Sequence, residues 1–248
     1  MSGHNKWSTI KRKKGAIDAK RSKAFSKIIK EMTVAVKEGG PDPDSNPRLR
    51  LAISNAKGVN MPKENISRAI SKASDKDAAA LSEVTYEGYV PGGVALFIEA
   101  TTDNIQRTVS NVRSIFNKYN GSLGTNGSLA FIFDRKGIFT VPQGNLVEDD
   151  FVMEIIDAGA EDVVLEDGFF TITTAMEDFG TMMKKLEKNK IEPENAELQR
   201  IPKTTTKLDK ETAQKILRIV EMFEEDDDVT NVFHNLELTD ELMAEMSM

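Results

Sequence analysis

Near residue 84 the spacing of apolar residues changes, and the change divides the chain into parts that cannot share one architecture. Before it, apolar side chains recur at helical intervals; beyond it they alternate or run together as strands do. At about 100° per residue, Phe25, Ile28, Ile29, Met32 and Val36 share one side of a helix, and Lys20, Lys23, Lys27, Lys30 and Lys37 share the other. Gly39-Gly40 stops that helix, followed by Pro41 and Pro43. Asn46 caps a second helix opened by Pro47, with Leu49, Ala52, Ile53 and Ala56 inward and Gly58 at its close. Met61-Pro62 opens a third, with Ile66, Ala69, Ile70 and Ala73 inward. Residues 1–74 therefore read as an all-helical module.

Residues 72–83 turn to Ser, Asp, Lys and Ala and read as a linker. Strands are then expected over 84–89 and 94–100 around a Gly92-Gly93 turn, a helix capped at Asp103-Asn104 with Ile105, Val109, Val112 and Phe116 inward, and a strand over 129–133 after a glycine-rich turn. Residues 137–205 carry a set of their own. It comprises a strand at 138–141, a helix at 148–158, a hairpin turning at Asp167-Gly168, a helix at 176–189 and a strand at 197–201. A helix over 210–223 and a strand over 229–238 complete the first set. The order is that of split βαβ, ferredoxin-like domains. The fold class expected is α+β multidomain: a helical module at 1–74, a discontinuous domain of 75–136 plus 205–248, and a third domain, 137–204, inserted into it.

Charge follows the same boundaries. Residues 1–72 hold seventeen Lys and Arg against six Asp and Glu, a balance of +11 in a chain of net −7. Residues 137–204 sum to −9 and 205–248 to −8, so phosphates would be repelled there. A lysine-rich helix face is commonly no more than a solvated one. Here, however, Lys11-Arg12-Lys13-Lys14 adds to the ladder, and cations continue through Arg48, Arg50, Lys57, Lys63 and Arg68. The residues expected to grip a phosphate backbone are Lys6, Lys11, Arg12, Lys13, Lys14, Lys20, Arg21, Lys23, Lys27, Arg48 and Arg50. Trp7, the only tryptophan, is placed either to stack on a base or to anchor the arm by packing.

The run GHNKWSTIKRKKGAIDAKRSKAFSKIIKEM, followed by GGPDPDSNPRLRLAISNAKGVNMPKENISRAI, resembles the YebC/PmpR family of bacterial regulators, which includes the mitochondrial translational activator of cytochrome c oxidase. YEGYVPGGVALFIEATTDNIQRTVSNVRSIFNKYNGSLGTNGSLAFIFDRKG is similar to the family's second signature. The resemblance implies the inserted third domain and, as the usual assignment, DNA-binding transcriptional regulation. It implies as a rival a translation factor that binds the ribosome and uses the basic module on ribosomal RNA. Phosphate contacts do not separate the two.

Little else in the sequence carries chemistry. With no cysteine there is no thiol nucleophile, disulfide or Cys-ligated metal. His4 and His234 are too few and too far apart for a zinc or acid/base centre. The acidic run Glu224-Glu225-Asp226-Asp227-Asp228 reads as a solvated turn; a divalent-dependent nuclease using Asp226 and Asp227 is the enzymatic alternative. Gly121, Gly124 and Gly127 follow a helix, so they read as a turn and not as a phosphate cradle. No apolar run approaches a membrane span, and no secretory signal opens the chain. The expectation is a cytoplasmic, non-enzymatic regulator without cofactor, metal, small-molecule substrate or membrane contact. Its partner would be DNA or ribosomal RNA, with protein partners for the acidic domains.

Overall fold

The computed structural model describes residues 18–75, 80–239 and 242. Among them the helices are α1 (Asp18–Gly39), α2 (Pro47–Gly58), α3 (Lys63–Ser74), α4 (Ile105–Lys118), α5 (Glu148–Asp157), α6 (Phe179–Lys188) and α7 (Lys210–Glu224). The strands are β1 (Ser82–Val90), β2 (Val94–Thr102), β3 (Ser122–Leu123), β4 (Phe133–Pro142), β5 (Ala160–Glu166), β6 (Phe169–Ala175), β7 (Asn195–Pro202) and β8 (Val229–His234). They form two four-stranded sheets in a mixed α+β fold. The chain divides into two compact units, one of Met1–Lys30, Ala79–Asp134 and Ile201–Met248, the other of Glu31–Ala78 and Arg135–Arg200. The residues read as one helical module are thus shared between the two.

In the first unit the strands lie in the order β3-β1-β2-β8. β1 and β2 pair from Ser82↔Thr102 to Val90↔Val94 across Pro91–Gly93, where Gly92 and Gly93 take positive φ, which costs least in a residue without a Cβ. Because strand side chains alternate, Val94, Leu96, Ile98 and Ala100 bury one face against α4 and α7, where the Phe116 and Phe223 rings sit 4.9 Å apart. Ala95 and Phe97 point to the opposite face and meet Leu129, Ile132, Phe133 and Phe233.

The strand expected over 129–133 is not there. Residues 125–132 form a chain of tight turns, with Ser128 N–H donating to Thr125 O, Ala130 to Gly127 O and Ile132 to Leu129 O. The cause is the buried Glu87 carboxylate, which accepts from Gly127 N at 2.7 Å and Leu129 N at 2.6 Å and so bends the segment over the sheet instead of along it. The edge strand is the two-residue β3, paired to Gly88 and Tyr89. β8 also ends earlier than expected, at His234; Leu236 then bridges alone to Thr206.

In the second unit the order is β5-β6-β4-β7. β5 and β6 turn at Asp167 and Gly168, both at positive φ, as an Asp-Gly hairpin favours. α5 and α6 bury Phe151, Ile155, Met182 and Leu186 against Phe139, Val141, Phe170 and Ile172, and Leu51 of α2 packs on the same cluster. Asn46 caps α2 by accepting from Leu49 N at 3.0 Å, while its amide donates to Ala35 O and Gly40 O at 2.7 and 2.8 Å. Asn55 exchanges two 3.0 Å hydrogen bonds with the backbone of Ala196, tying α2 to β7.

Candidate nucleic-acid interface

The residues expected to hold phosphate fall into four groups. Lys6, Trp7, Lys11, Arg12, Lys13 and Lys14 lie outside the described residues, as does His4. Lys20 and Arg21 belong to α1, with side chains outside the described set. Lys23, Lys27 and Arg48 are engaged within the fold. Arg50 is exposed.

The engaged cations reverse the reading of two features at once. On the helical wheel the α1 lysines form a ladder facing water, and the run from Glu224 to Asp228 forms a solvated turn. In the first unit the ladder is seated on that turn. Lys23 Nζ donates to Glu225 O at 3.0 Å and Lys27 Nζ to Thr230 O at 3.0 Å. Lys30 Nζ donates to Thr101 O at 2.9 Å, to Asp227 O at 2.6 Å and to the Asp228 carboxylate at 3.1 Å. The turn between α7 and β8 ends in carbonyls whose helical partners are missing, and ammonium groups satisfy them. A wheel drawn for an isolated helix cannot reveal a second polar surface brought to it by the fold.

Asp228 is the node of this arrangement. Its carboxylate is almost wholly buried and accepts from Arg107 Nη2 at 2.7 Å and Thr108 Oγ1 at 2.9 Å as well as from Lys30. Burial alone would push its carboxyl up; the hydrogen bonds from Arg107, Lys30 and Thr108 outweigh it and hold it at about 2. This residue is structural in that it ties α1 and α4 to the start of β8. Of the two acids the nuclease alternative named, Asp226 accepts from Asn111 Nδ2 at 3.0 Å and from Asp228 N–H at 2.9 Å. Among the described residues no group of three or more His, Asp or Glu is placed to hold a metal ion.

In the second unit, Arg48 pairs with Glu38 at 2.8 Å, Lys57 faces Glu192 at 3.6 Å, and Lys37 Nζ donates to Asp75 O at 2.9 Å. Arg50, Lys63, Arg68 and Lys72 are exposed and form no ion pair among the described residues. On α3 the positions facing away from buried Ile66, Ala69 and Ala73 are Lys63, Glu64, Ser67, Arg68, Ser71 and Lys72. Lys63, Arg68 and Lys72 with the serine hydroxyls suit phosphate oxygens, and Glu64 is the one anion on that face. Lys63 and Arg68 are part of the cationic run in the sequence, yet nothing in the sequence marks them as the unengaged members of it.

His234 is fully buried at the end of β8, and burial pulls its imidazole down to about 4, against a smaller opposing effect of Glu224. It is therefore neutral at neutral pH and supplies no cationic charge. No described helix is long and apolar enough to cross a membrane.

Comparison with known proteins gives concordant results. Residues 5–76 match the family model described as the TACO1/YebC protein N-terminal domain, and residues 81–236 match that of the TACO1/YebC second and third domain. A protein of Geotalea uraniireducens named "Probable transcriptional regulatory protein" is 50% identical over 248 residues, covering 99% of this chain and all of that one. One of the same name from Amoebophilus asiaticus is 49% identical over 239 residues, 95% of this chain and 98% of the other. The crystal structure of a conserved hypothetical protein from Aquifex aeolicus, 44% identical, superposes with a TM-score of 0.80 over 90% of this chain and 93% of that one.

Proposed function

This chain belongs to the TACO1/YebC family, and on that footing we propose that it is a nucleic-acid-binding regulator of gene expression, acting on DNA as a transcriptional regulator. The observation that carries the reading is the +11 balance of residues 1–72 in a chain of net −7. It is supported by the name that its relatives bear. The gripping residues in this reading are those of the basic cluster, Lys6 and Lys11 to Lys14, joined by Lys20, Arg21 and Arg50. We add Lys63, Arg68 and Lys72, exposed on α3, and leave out Lys23, Lys27 and Arg48, whose charged groups are engaged within the fold. We also read the chain as three domains, 1–74, 75–136 plus 205–248, and an inserted 137–204. The family models, which divide between residues 76 and 81, support the first of these boundaries. The protein acts in the cytoplasm and carries out no reaction of its own.

A second reading is ribosomal RNA as the partner, because phosphate contacts from exposed Lys63, Arg68 and Lys72 of α3 and from the basic cluster do not distinguish RNA from DNA. The deciding experiment is binding to matched DNA and RNA duplexes across a salt series, with sedimentation against ribosomes. Replacing Lys11, Arg12, Lys13 and Lys14 by Ala should weaken binding and flatten the salt slope by roughly 0.7 to 0.9 for each phosphate no longer neutralised. An unchanged slope moves the grip elsewhere. Co-sedimentation with ribosomes at physiological salt selects RNA, and free migration selects DNA.

A further inference from the structure

Residues 104–133 hold Arg107, Arg113 and Lys118 and not one carboxylate, in a chain where Asp and Glu account for 40 of 248 residues. At that overall frequency a stretch of this length would be expected to hold about five. The stretch also runs through the first unit, whose α7 to β8 turn is the most acidic run in the chain. The exposed polar side chains from the end of α4 to Phe133 are Lys118, Asn120, Ser122, Thr125 and Asn126: one cation, then amides and hydroxyls.

Within this acid-free stretch stands Phe131, 69% exposed. It is not on a loose loop. The segment is hydrogen-bonded along the free edge of β1: Ser122 and Leu123 pair with Tyr89 and Gly88, Gly124 N–H donates to Glu87 O at 2.7 Å, and the Glu87 carboxylate holds Gly127 and Leu129. Leu129 and Ile132, on either side of Phe131, are buried. The register places Tyr89, opposite Ala95, on the same sheet face as Glu87 and Leu129, and Tyr89 is 37% exposed. A fold that bends a segment round a buried carboxylate, anchors it on both sides and still leaves a phenyl ring in water holds that ring ready at little further entropy cost.

We propose that this edge of the first unit is a second nucleic-acid contact, a platform on which Phe131 and Tyr89 stack the bases of a single strand while Lys118 meets its phosphates. Single-stranded nucleic acid fits because a ring can stack only on an unpaired base, and every base has a face to offer. Amides and hydroxyls at the rim suit sugar and base-edge oxygens and nitrogens; residues 104–133 add no carboxylate of their own to repel phosphates, Glu87 is buried, and neighbouring Asp134 is paired with Lys203. The proposal rests on the nucleic-acid reading above and adds to it where, and to which form, the acidic part of the molecule binds.

The test uses the full chain, with short oligouridylate, oligodeoxythymidylate and a matched duplex as fluorescent probes at low salt. Phe131→Ala should weaken binding of single strands by about 5- to 150-fold, the range found on removing one stacked base, and leave the duplex within about 2-fold. Phe131→Trp should restore the single-strand affinity, and Lys118→Ala should lower its salt slope by roughly 0.7. A larger loss for the uridylate than for the thymidylate identifies RNA as the strand. Unchanged single-strand binding by Phe131→Ala, with binding abolished on replacing Lys11 to Lys14, overturns the platform, leaves the nucleic-acid reading standing and assigns the ring to a protein contact. Failure of the unaltered chain to bind any of the three probes overturns both.

Discussion

Lys30 Nζ and Asp228 Oδ1 lie 3.1 Å apart, joining the N-terminal helix to the start of the last strand across 198 residues of sequence. The carboxylate is buried and shared with Arg107 and Thr108, whereas the lysine retains some contact with water. Asp228→Asn keeps the shape and removes the charge, leaving Lys30 without its counter-ion and Arg107 with Asp103 alone. Breaking a buried pair from one side costs about 3–5 kcal/mol, and partial solvation of Lys30 and Arg107 should bring this to about 2–4 kcal/mol. Urea unfolding should show the loss as a lowered midpoint at constant slope. A midpoint within experimental error of the parent would mean that the node does not hold α1 to the fold.

The same carboxyl sits at about 2, below its ordinary 3.8. A depressed carboxyl contributes stability that is complete above the unfolded value and is lost as pH falls through the folded one. Its window is therefore between about pH 4 and pH 2.

His234 acts in a different window. Its imidazole is held at about 4 against an ordinary 6.5, so the unfolded chain takes up the proton first as pH falls. Stability should decline from about pH 6.5 downward, by about 3 kcal/mol on reaching pH 4, from this residue alone. His234→Gln should flatten that slope between pH 6.5 and 4 while leaving the Asp228 window below it. Equal slopes in both proteins would show that the imidazole titrates normally.

Glu87 receives two backbone N–H groups at 2.6 and 2.7 Å, and a Gln in its place would turn an amide donor toward one of them. Glu87→Gln should cost about 1–3 kcal/mol and speed hydrogen exchange at Gly127 and Leu129, with the α4 amides unaffected. Exchange at those two amides no faster than in the parent would dissociate the carboxylate from the shape of the segment.

Asn46 serves three backbone groups from one side chain, the Leu49 N–H and the Ala35 and Gly40 carbonyls. Asn46→Ala should therefore exceed the ~1 kcal/mol of an ordinary cap, reaching about 2–3 kcal/mol in urea unfolding. Asn46→Asp, which keeps the acceptor but not the donors, should fall between the two. A loss no greater than that of a simple cap would mean that the two carbonyls find water instead.

Much of this molecule could be read from the sequence, because its signals are local. Asn46 before Pro47, the stop at Gly39-Gly40, the Asp167-Gly168 turn and the helical stripe of Ile216, Leu217, Val220 and Phe223 each name their element within a few residues, through steric or capping preferences that need no partner. The cationic head and anionic remainder are likewise properties of composition. What the sequence alone could not decide was where charges meet. The lysines of α1 and the acids after α7 each read as facing water, and only the fold brings Lys30 to Asp228 and so separates the engaged cations from exposed Arg50, Lys63, Arg68 and Lys72. The apolar run at 129–133 has the composition of a strand, yet a carboxylate about forty positions upstream bends it into turns and leaves Phe131 in water. In both places a buried carboxyl group had to find donors, and the donors it found are distant in sequence, so their pairing exists only in three dimensions.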